Sequence, residues 1–294
     1  MKHAILGAGA IGGLVGTVLS SLGEEVTVVV RLEKLPSYPD HLTLERPSGS
    51  LTVPAKAVAA LTQPVDLLWI ATKTYQLQAA LDAVQVLPRC VVPLLNGVDH
   101  VAVLRARFGR ERVAPATIAV EAERTAAGRF IQRSPIVRFN LAASLEPLLG
   151  PIVARLGDCG FNCQFIANEQ TLLWGKLCFL APVALVTSAS GMNVGEISGD
   201  ASWKQKLNSA IAEACAVANA SGAEIGAAQI QTILESSPPG MRSSMQKDLV
   251  AGRQLELDAI GGPIVRGGDR YGIDVSTTVK LMAEVQAKIV AHRP

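Results

Sequence analysis

The segment that most restricts the fold is "AILGAGAIGG", which places three glycines at fixed spacing directly after an apolar stretch. Gly7, Gly9 and Gly12 have the spacing G-x-G-x-x-G, and their flanking residues predict a strand and a helix. The first glycine permits a tight turn, the second lets the backbone approach a pyrophosphate, and the third permits close packing of helix on strand. The helix N-terminus adds amide donors and positive potential. This context predicts a dinucleotide-binding loop; the alternative is a tight turn without a ligand.

The first half of the chain predicts a parallel sheet of the Rossmann type. Short apolar segments such as "EEVTVVVR", "VDLLWIATK" and "CVVPLLNG" alternate with helical segments such as "QLQAALDAV". Apolar strands that alternate with helices are typical of a doubly wound parallel sheet covered on both faces. "LTLERPSGSLTVPAKAV" predicts a hairpin that turns at Pro47 to Gly49, and "GRFIQRSPIVRFNL" predicts a second antiparallel pair.

From about residue 168 the pattern changes to helices bounded by Gly, Pro, Ser or Asp. We therefore predict an α/β domain over residues 1–167 and an all-helical domain over residues 168–294, with the active site in the cleft between them. The most apolar stretch is "LCFLAPVALVTSASGMNV". Lys176 immediately precedes it and polar residues accumulate at its end, so it predicts a buried helix rather than a membrane span.

The charge balance and the spacing of cysteines and histidines indicate which classes of partner to expect. The 27 basic and 25 acidic residues nearly balance, which gives no indication of nucleic-acid or membrane-surface binding. No pair among the five cysteines has C-x-x-C spacing, and no signal peptide is recognisable at the N-terminus, which favours a cytoplasmic protein with reduced thiols. We predict no metal site, because the histidines lack metal-ligand spacing. They are His3, His41, His100 and His292.

Polar residues at the predicted strand ends indicate the cofactor and the site. Arg31 ends the second strand, where an NAD-preferring protein normally offers an acid to the ribose. An arginine can bind a 2′-phosphate, so we predict NADP(H), although Glu33 weakens the case and a solvated arginine is the alternative. Lys73 and Asn96 end the next two strands of the predicted sheet. Ligands of open parallel sheets bind beyond such carboxyl ends, so both are candidate contacts of cofactor and substrate.

Several motifs fall in the order and at the spacing of one known family. They are "GAGAIGG", "TKTYQ", "LLNGV", "WGKL", "ALVTSASG", "SSMQKDL", "ELDAIGG" and "YGIDV". By these motifs the chain resembles the ketopantoate reductases (2-dehydropantoate 2-reductases), which reduce a 2-oxo acid with NADPH in pantothenate biosynthesis. The resemblance covers essentially the whole length, and it implies a C-terminal domain similar to that of 6-phosphogluconate dehydrogenase.

The resemblance also implies roles for individual residues. Lys176 would donate a proton to the keto oxygen or stabilise its charge, and Glu256 would complete the polar site. Lys73 and Asn96 would border nicotinamide and substrate, and Ser244 would contact the substrate carboxylate. The chemistry is consistent, because hydride transfer to a ketone leaves negative charge on oxygen that an adjacent ammonium stabilises and protonates. The alternative for Lys176 is a lysine whose stem packs on the core and whose amine reaches water.

The chain departs from the family at two substrate-binding positions. Leu180 and Ala184, four and eight residues after Lys176 on one helical face, stand where ketopantoate reductases usually have asparagines. We expect reduction of a 2-oxo acid, with ketopantoate as the first candidate. The alternatives are a more apolar 2-oxo acid and a non-catalytic NADP(H)-binding protein of the same fold. The sequence does not indicate the oligomeric state; a homodimer is our working prediction.

Overall fold

A computed structural model describes residues 1–291, which fold into two units. The first comprises Met1–Leu95 and His100–Ala167, and the second comprises Asn96–Asp99 and the chain from Asn168. The predicted fold class, a Rossmann-like parallel sheet followed by a helical domain, is confirmed. The division at residues 167 and 168 assigns Asn96–Asp99 to the first domain, whereas in the structure this segment belongs to the second unit.

The first unit holds the strands and four helices. The strands are β1 (Lys2–Leu6), β2 (Glu25–Val29), β3 (His41–Arg46), β4 (Gly49–Pro54), β5 (Lys56–Val58), β6 (Leu67–Ile70), β7 (Cys90–Pro93), β8 (Ala116–Ala119), β9 (Ala122–Ala126), β10 (Arg129–Gln132), β11 (Val137–Ala142) and β12 (Phe161–Ile166). The helices are α1 (Ala10–Ser21), α2 (Leu77–Leu81), α3 (His100–Phe108) and α4 (Glu146–Asp158).

A parallel sheet of strand order β5-β2-β1-β6-β7 forms the centre of this unit. Its inner strands β1 and β6 are almost wholly buried, as near-continuous apolar runs in a parallel sheet require. Strand β1 leads directly into the glycine loop and α1. The carboxyl ends of β1, β2 and β6 therefore lie at one edge of the sheet together with this loop.

Two smaller sheets complete the first unit. One has the strand order β4-β3-β10-β9, and the other β12-β11-β8. The hairpin predicted around Pro47 to Gly49 is confirmed as the antiparallel pair β3 and β4, in which Arg46 lies opposite Gly49. The second predicted pair is wrong, because β10 and β11 lie in different sheets. Strand β10 instead pairs antiparallel with β9, and β11 pairs antiparallel with β8.

A buried polar cluster lies at the amino end of the parallel sheet. The Glu24 carboxylate, whose side chain is 6% exposed, is paired with the Met1 amine, with His3 and with Arg155 of α4. His3 in turn accepts a hydrogen bond from the indole of Trp69 at 3.1 Å. Burial raises the pKa of Glu24, but hydrogen bonds from the amine and His3 more than offset it and hold this pKa below its ordinary value.

The second unit is helical and has its own apolar core. The predicted buried helix is confirmed as α5, which begins after Asn168. The Asn168 side chain accepts hydrogen bonds from the backbone N–H groups of Gln170 and Thr171. This helix is long and apolar enough to cross a membrane, but 78% of its most apolar window is buried inside the protein. The helices of this unit are α5 (Glu169–Ser190), α6 (Val194–Gly199), α7 (Ala201–Ala220), α8 (Ala227–Glu235), α9 (Ser244–Val250), α10 (Leu257–Tyr271) and α11 (Ser276–Ala291).

Helix α10 is not predicted from the sequence, because "GGPIVRGG" has the composition of a loop. In the structure its glycines are contact positions between helices. A Cβ atom on Gly267 would lie 2.2 Å from Val217 of α7, and one on Gly261 would lie 2.5 Å from the sulfur of Met282 of α11. The helix can therefore form here because packing against α7 and α11 outweighs the low helix propensity of glycine.

Candidate active site

The glycine loop of the first unit has the backbone geometry that a pyrophosphate site needs. Gly7 has φ +100°, and a Cβ atom there would lie 2.7 Å from the backbone nitrogen of Thr72. A Cβ atom on Gly12 would lie 2.1 Å from the carbonyl oxygen of Gly7. Gly9 is the N-cap of α1, and neither a capping side chain nor an acidic residue occupies the start of this helix. The amide donors of the loop thus suit the phosphates of a dinucleotide.

The candidate cofactor contacts Arg31 and Lys73 follow strands of the parallel sheet at the same edge as the loop. Arg31 comes two residues after β2, is exposed, and its Nε lies 3.2 Å from a carboxylate oxygen of Glu33. An exposed ion pair of this kind contributes little, so a 2′-phosphate could replace Glu33 as its partner. Lys73 is half-buried and precedes the short turn of 3-10 helix that follows β6.

In the second unit, three predicted site residues form one chain of hydrogen bonds. Lys176 lies near the N-terminal end of α5, and its Nζ donates to Asn96 Oδ1 at 2.9 Å. The Nδ2 of Asn96 donates to Glu256 Oε2 at 3.1 Å. Glu256 is the buried N-cap residue of α10. The structure therefore brings together residues that are 80 and 160 positions apart in the sequence.

The environment of Lys176 tunes its acidity. Burial lowers the pKa of Lys176 from 10.5 to about 8, and the negative charge of Glu256 opposes this decrease. With a pKa near 8 the ammonium is mostly protonated at neutral pH and still releases its proton readily. The arrangement suits a group that stabilises a developing alkoxide and then protonates it.

The segment that carries Asn96 is fixed by contacts that the sequence does not reveal. Gly97 has φ +81°, and a Cβ atom there would lie 2.3 Å from the carbonyl oxygen of Ala259 in α10. Asp99 pairs with Arg266 of α10, which also donates to Asp258 at 2.8 Å. The glycine after Asn96 was the one local signal of this close approach. The pair of Asp99 and Arg266 has none, because 167 residues separate them.

The remaining predicted substrate contacts differ in exposure. Leu180 is half-buried one turn after Lys176, whereas Ala184 is fully buried in the core of the helical unit. Ser244 is exposed at the first position of α9. Its neighbour Ser243 is buried and hydrogen-bonds the Thr187 hydroxyl at 2.8 Å. The substrate roles of these residues stay predictions.

Within residues 1–291, no group of three or more His, Cys, Asp or Glu side chains is placed to hold a metal ion, and His292 lies outside the described residues. The five cysteines are free thiols.

A loop suited to a dinucleotide and a lysine whose pKa lies near 8 are the parts of a nicotinamide-dependent oxidoreductase. Comparison with known proteins agrees. The family described as "Ketopantoate reductase PanE/ApbA" matches residues 3–144, and "Ketopantoate reductase PanE/ApbA C terminal" matches residues 168–289. The chain belongs to the ketopantoate reductase family, so it is an oxidoreductase that acts on CH–OH donors. The predicted enzyme class is confirmed, and the non-catalytic alternative loses its support.

Individual relatives extend this comparison. A 2-dehydropantoate 2-reductase of Caulobacter vibrioides is 30% identical over 97% of this chain and 98% of its own. A structure of D-mandelate dehydrogenase with NADH and anilino(oxo)acetate has a TM-score of 0.88 at 23% identity, with 99% of each chain covered. A dimeric ketopantoate reductase from Staphylococcus aureus has a TM-score of 0.80 at 20% identity, also with 99% of each chain covered. The prediction of NADP(H) is confirmed at the level of the family.

Proposed function

We propose that this protein reduces 2-dehydropantoate to pantoate with NADPH, a step of pantothenate biosynthesis. The observation that carries the proposal is the hydrogen-bond chain from Glu256 through Asn96 to Lys176, with the pKa of Lys176 near 8. The relative from Caulobacter vibrioides, which bears the name of this activity, supports the choice of substrate.

Each residue of the chain has a separate task in this proposal. NADPH, when bound, supplies a hydride to the carbonyl carbon. Lys176 stabilises the negative charge that develops on the carbonyl oxygen and donates its proton to that oxygen. Asn96 holds the ammonium in one orientation. Glu256 fixes the Asn96 amide, and its negative charge keeps Lys176 protonated at neutral pH.

Lys73 and Ser244 complete the proposed site through their own functional groups. The ammonium of Lys73 would border the nicotinamide and the substrate, as Asn96 would, and the hydroxyl of Ser244 would donate to the substrate carboxylate. Both tasks use charge or hydrogen bonding toward an anionic substrate, for which a cation and a donor are suitable.

The assay is NADPH oxidation, followed by absorbance, with 2-dehydropantoate as substrate. We expect Lys176→Ala to lower kcat by about a hundredfold or more, because general acid catalysis contributes on that order. Lys280→Ala, which removes an exposed lysine of α11, is the matched control and should retain wild-type activity. Equal rates for Lys176→Ala and the wild type would refute the role of Lys176.

The choice of NADPH over NADH rests on Arg31. Its guanidinium can form two charge-assisted hydrogen bonds to a 2′-phosphate, which NADH lacks. Arg31→Ala should therefore weaken NADPH binding by about tenfold or more and leave NADH binding nearly unchanged. Titration of both cofactors into both proteins measures this, and equal losses for the two cofactors would exclude the 2′-phosphate contact.

A second candidate substrate is a more apolar 2-oxo acid, such as a branched-chain or aromatic one. Leu180 favours it, because a half-buried leucine beside Lys176 offers no hydrogen bond to a substrate hydroxyl. The mandelate dehydrogenase structure, with anilino(oxo)acetate bound, shows that an aromatic ligand is compatible with a relative of this fold. Comparison of kcat/KM across a panel of 2-oxo acids decides, and a clear preference for 2-dehydropantoate would exclude this candidate.

We also propose that the protein is a cytoplasmic homodimer. The dimeric relative from Staphylococcus aureus supports the assembly, and the five free thiols support the location. Light scattering after size-exclusion chromatography would test the dimer, and a single species of monomer mass would exclude it.

A further inference from the structure

One basic side chain outside the predicted site lies at the glycine loop. Arg124 belongs to β9, and it is the cross-strand partner of Phe130 on β10. Phe130 is buried against α1, and a Cβ atom on Gly13 of that helix would lie 2.1 Å from its ring. The sheet with the strand order β4-β3-β10-β9 is therefore packed closely on the first turns of α1. Because of this packing, Arg124 lies beside the N-terminus of α1, next to the glycine loop.

Arg124 touches the loop itself. Its Nη1 donates to the carbonyl oxygen of Ala8, the residue between Gly7 and Gly9, at 3.4 Å. This distance is long for an N–H···O hydrogen bond, so the contact is weak. A guanidinium has five N–H donors in a planar fork. The bond to Ala8 therefore engages only one of them and leaves capacity for an oxyanion at the loop.

Arg124 places a positive charge beside the N-terminus of α1. Two other exposed arginines of this unit are paired with acids, Arg31 with Glu33 and Arg133 with Glu123. Arg124, within the described part of the chain, has no such ion pair. A cation at a helix N-terminus is unfavourable, because the end of the helix is itself positive. An anion bound between them would remove this repulsion.

We infer that Arg124 binds the pyrophosphate of the dinucleotide at the glycine loop. The inference rests on the cofactor class, not on the identity of the 2-oxo acid. Because NADH and NADPH have the same pyrophosphate, Arg124 contributes equally to both. Arg31, in contrast, contributes to NADPH alone. Arg124 thus contributes to the affinity for either cofactor through the pyrophosphate, and Arg31 contributes only to the affinity for NADPH through the 2′-phosphate.

Titration of NADPH and NADH into the full-length protein tests the inference. We expect Arg124→Ala to weaken both cofactors by a similar factor, about tenfold, as for loss of a charge-assisted hydrogen bond. Arg124→Lys should recover part of the loss. Arg133→Ala, which removes an equal charge from the residue directly after β10, where it is paired with Glu123, should bind both cofactors as the wild type does.

The other outcomes are distinguishable. Unchanged affinity with a lower melting temperature in Arg124→Ala would overturn the inference and leave a structural bond to Ala8. Loss for NADPH alone would overturn it in favour of a 2′-phosphate contact. If the wild type bound neither cofactor, the cofactor class itself would fail, and the inference with it.

Discussion

The substitution Glu256→Gln tests how the site controls the charge of Lys176. It is nearly isosteric, and the Asn96 amide can still donate to the oxygen of a glutamine, so the geometry of the hydrogen-bond chain is retained. The negative charge is lost. Because burial lowers the pKa of Lys176 and the charge of Glu256 opposes this decrease, the pKa should fall further below its present value of about 8.

The size of this change follows from the distances. The two hydrogen bonds of 2.9 and 3.1 Å and the amide between them place the ammonium within about 8 Å of the carboxylate, which corresponds to about 2 kcal/mol at an effective dielectric constant of about 20. At about 1.4 kcal/mol for each pH unit, the pKa of Lys176 would decrease by about 1.5, to about 6.5. Only the protonated lysine donates a proton, so activity is lost as the pH rises through this pKa.

The assay is kcat/KM for reduction of the 2-oxo acid as a function of pH, which reports ionisations of the free enzyme. The wild type should lose activity on the alkaline side near pH 8, and Glu256→Gln near about pH 6.5. At pH 8 the variant should be about tenfold less active, and at pH 6 the difference should nearly disappear. Glu235→Gln, at the exposed end of α8, is the control and should keep the wild-type profile. A constant loss at every pH would refute the electrostatic role of Glu256.

Three further substitutions test the loop, the buried cluster and the Asn96 segment. Gly12→Ala should lower NADPH affinity at least about tenfold in a titration, because its methyl group would lie 2.1 Å from the Gly7 carbonyl oxygen and displace the loop. Glu24→Gln should lower the free energy of unfolding by about 3 kcal/mol at pH 7, because it leaves buried partners without a carboxylate. The pKa of Glu24 lies below its ordinary value of 4.5, so the difference in melting temperature between wild type and variant should shrink as the pH falls below 4.5. Arg266→Ala should lower kcat by about tenfold without weakening NADPH, because it frees Asp99 and the adjacent segment; an unchanged kcat would contradict this.

Local sequence patterns predicted much of the fold. The parallel strands are apolar runs and α5 is bounded by Asn168 and Gly191, so both are recognisable from adjacent residues. The error at β10 and β11 concerns pairing: β10 pairs with the preceding strand β9 and with the distant β3, and β11 pairs with β8 and β12. Helix α10 was missed for a related reason, because its glycines are explained only by the helices that they contact.

In the candidate site too, residues in recognisable motifs were predicted, and contacts between residues distant in the sequence were not. Motif position predicted Lys176, Asn96 and Glu256 as site residues, and the structure places them in one hydrogen-bond chain. What the sequence could not supply is the support of Asn96 by Asp99 and Arg266. That support makes the four residues from Asn96 to Asp99 part of the helical unit, although they follow a strand of the parallel sheet.

The two positions at which the chain departs from the family, Leu180 and Ala184, differ in exposure. Ala184 has no exposed surface and lies within the apolar core, so its side chain offers no surface for a substrate in this structure. Leu180 is half-buried and lies one turn from Lys176 on the same face of α5. An amide at position 180 could serve recognition, whereas an amide at position 184 would need a buried partner. We therefore predict that discrimination between a hydroxylated and an apolar 2-oxo acid depends on Leu180 far more than on Ala184.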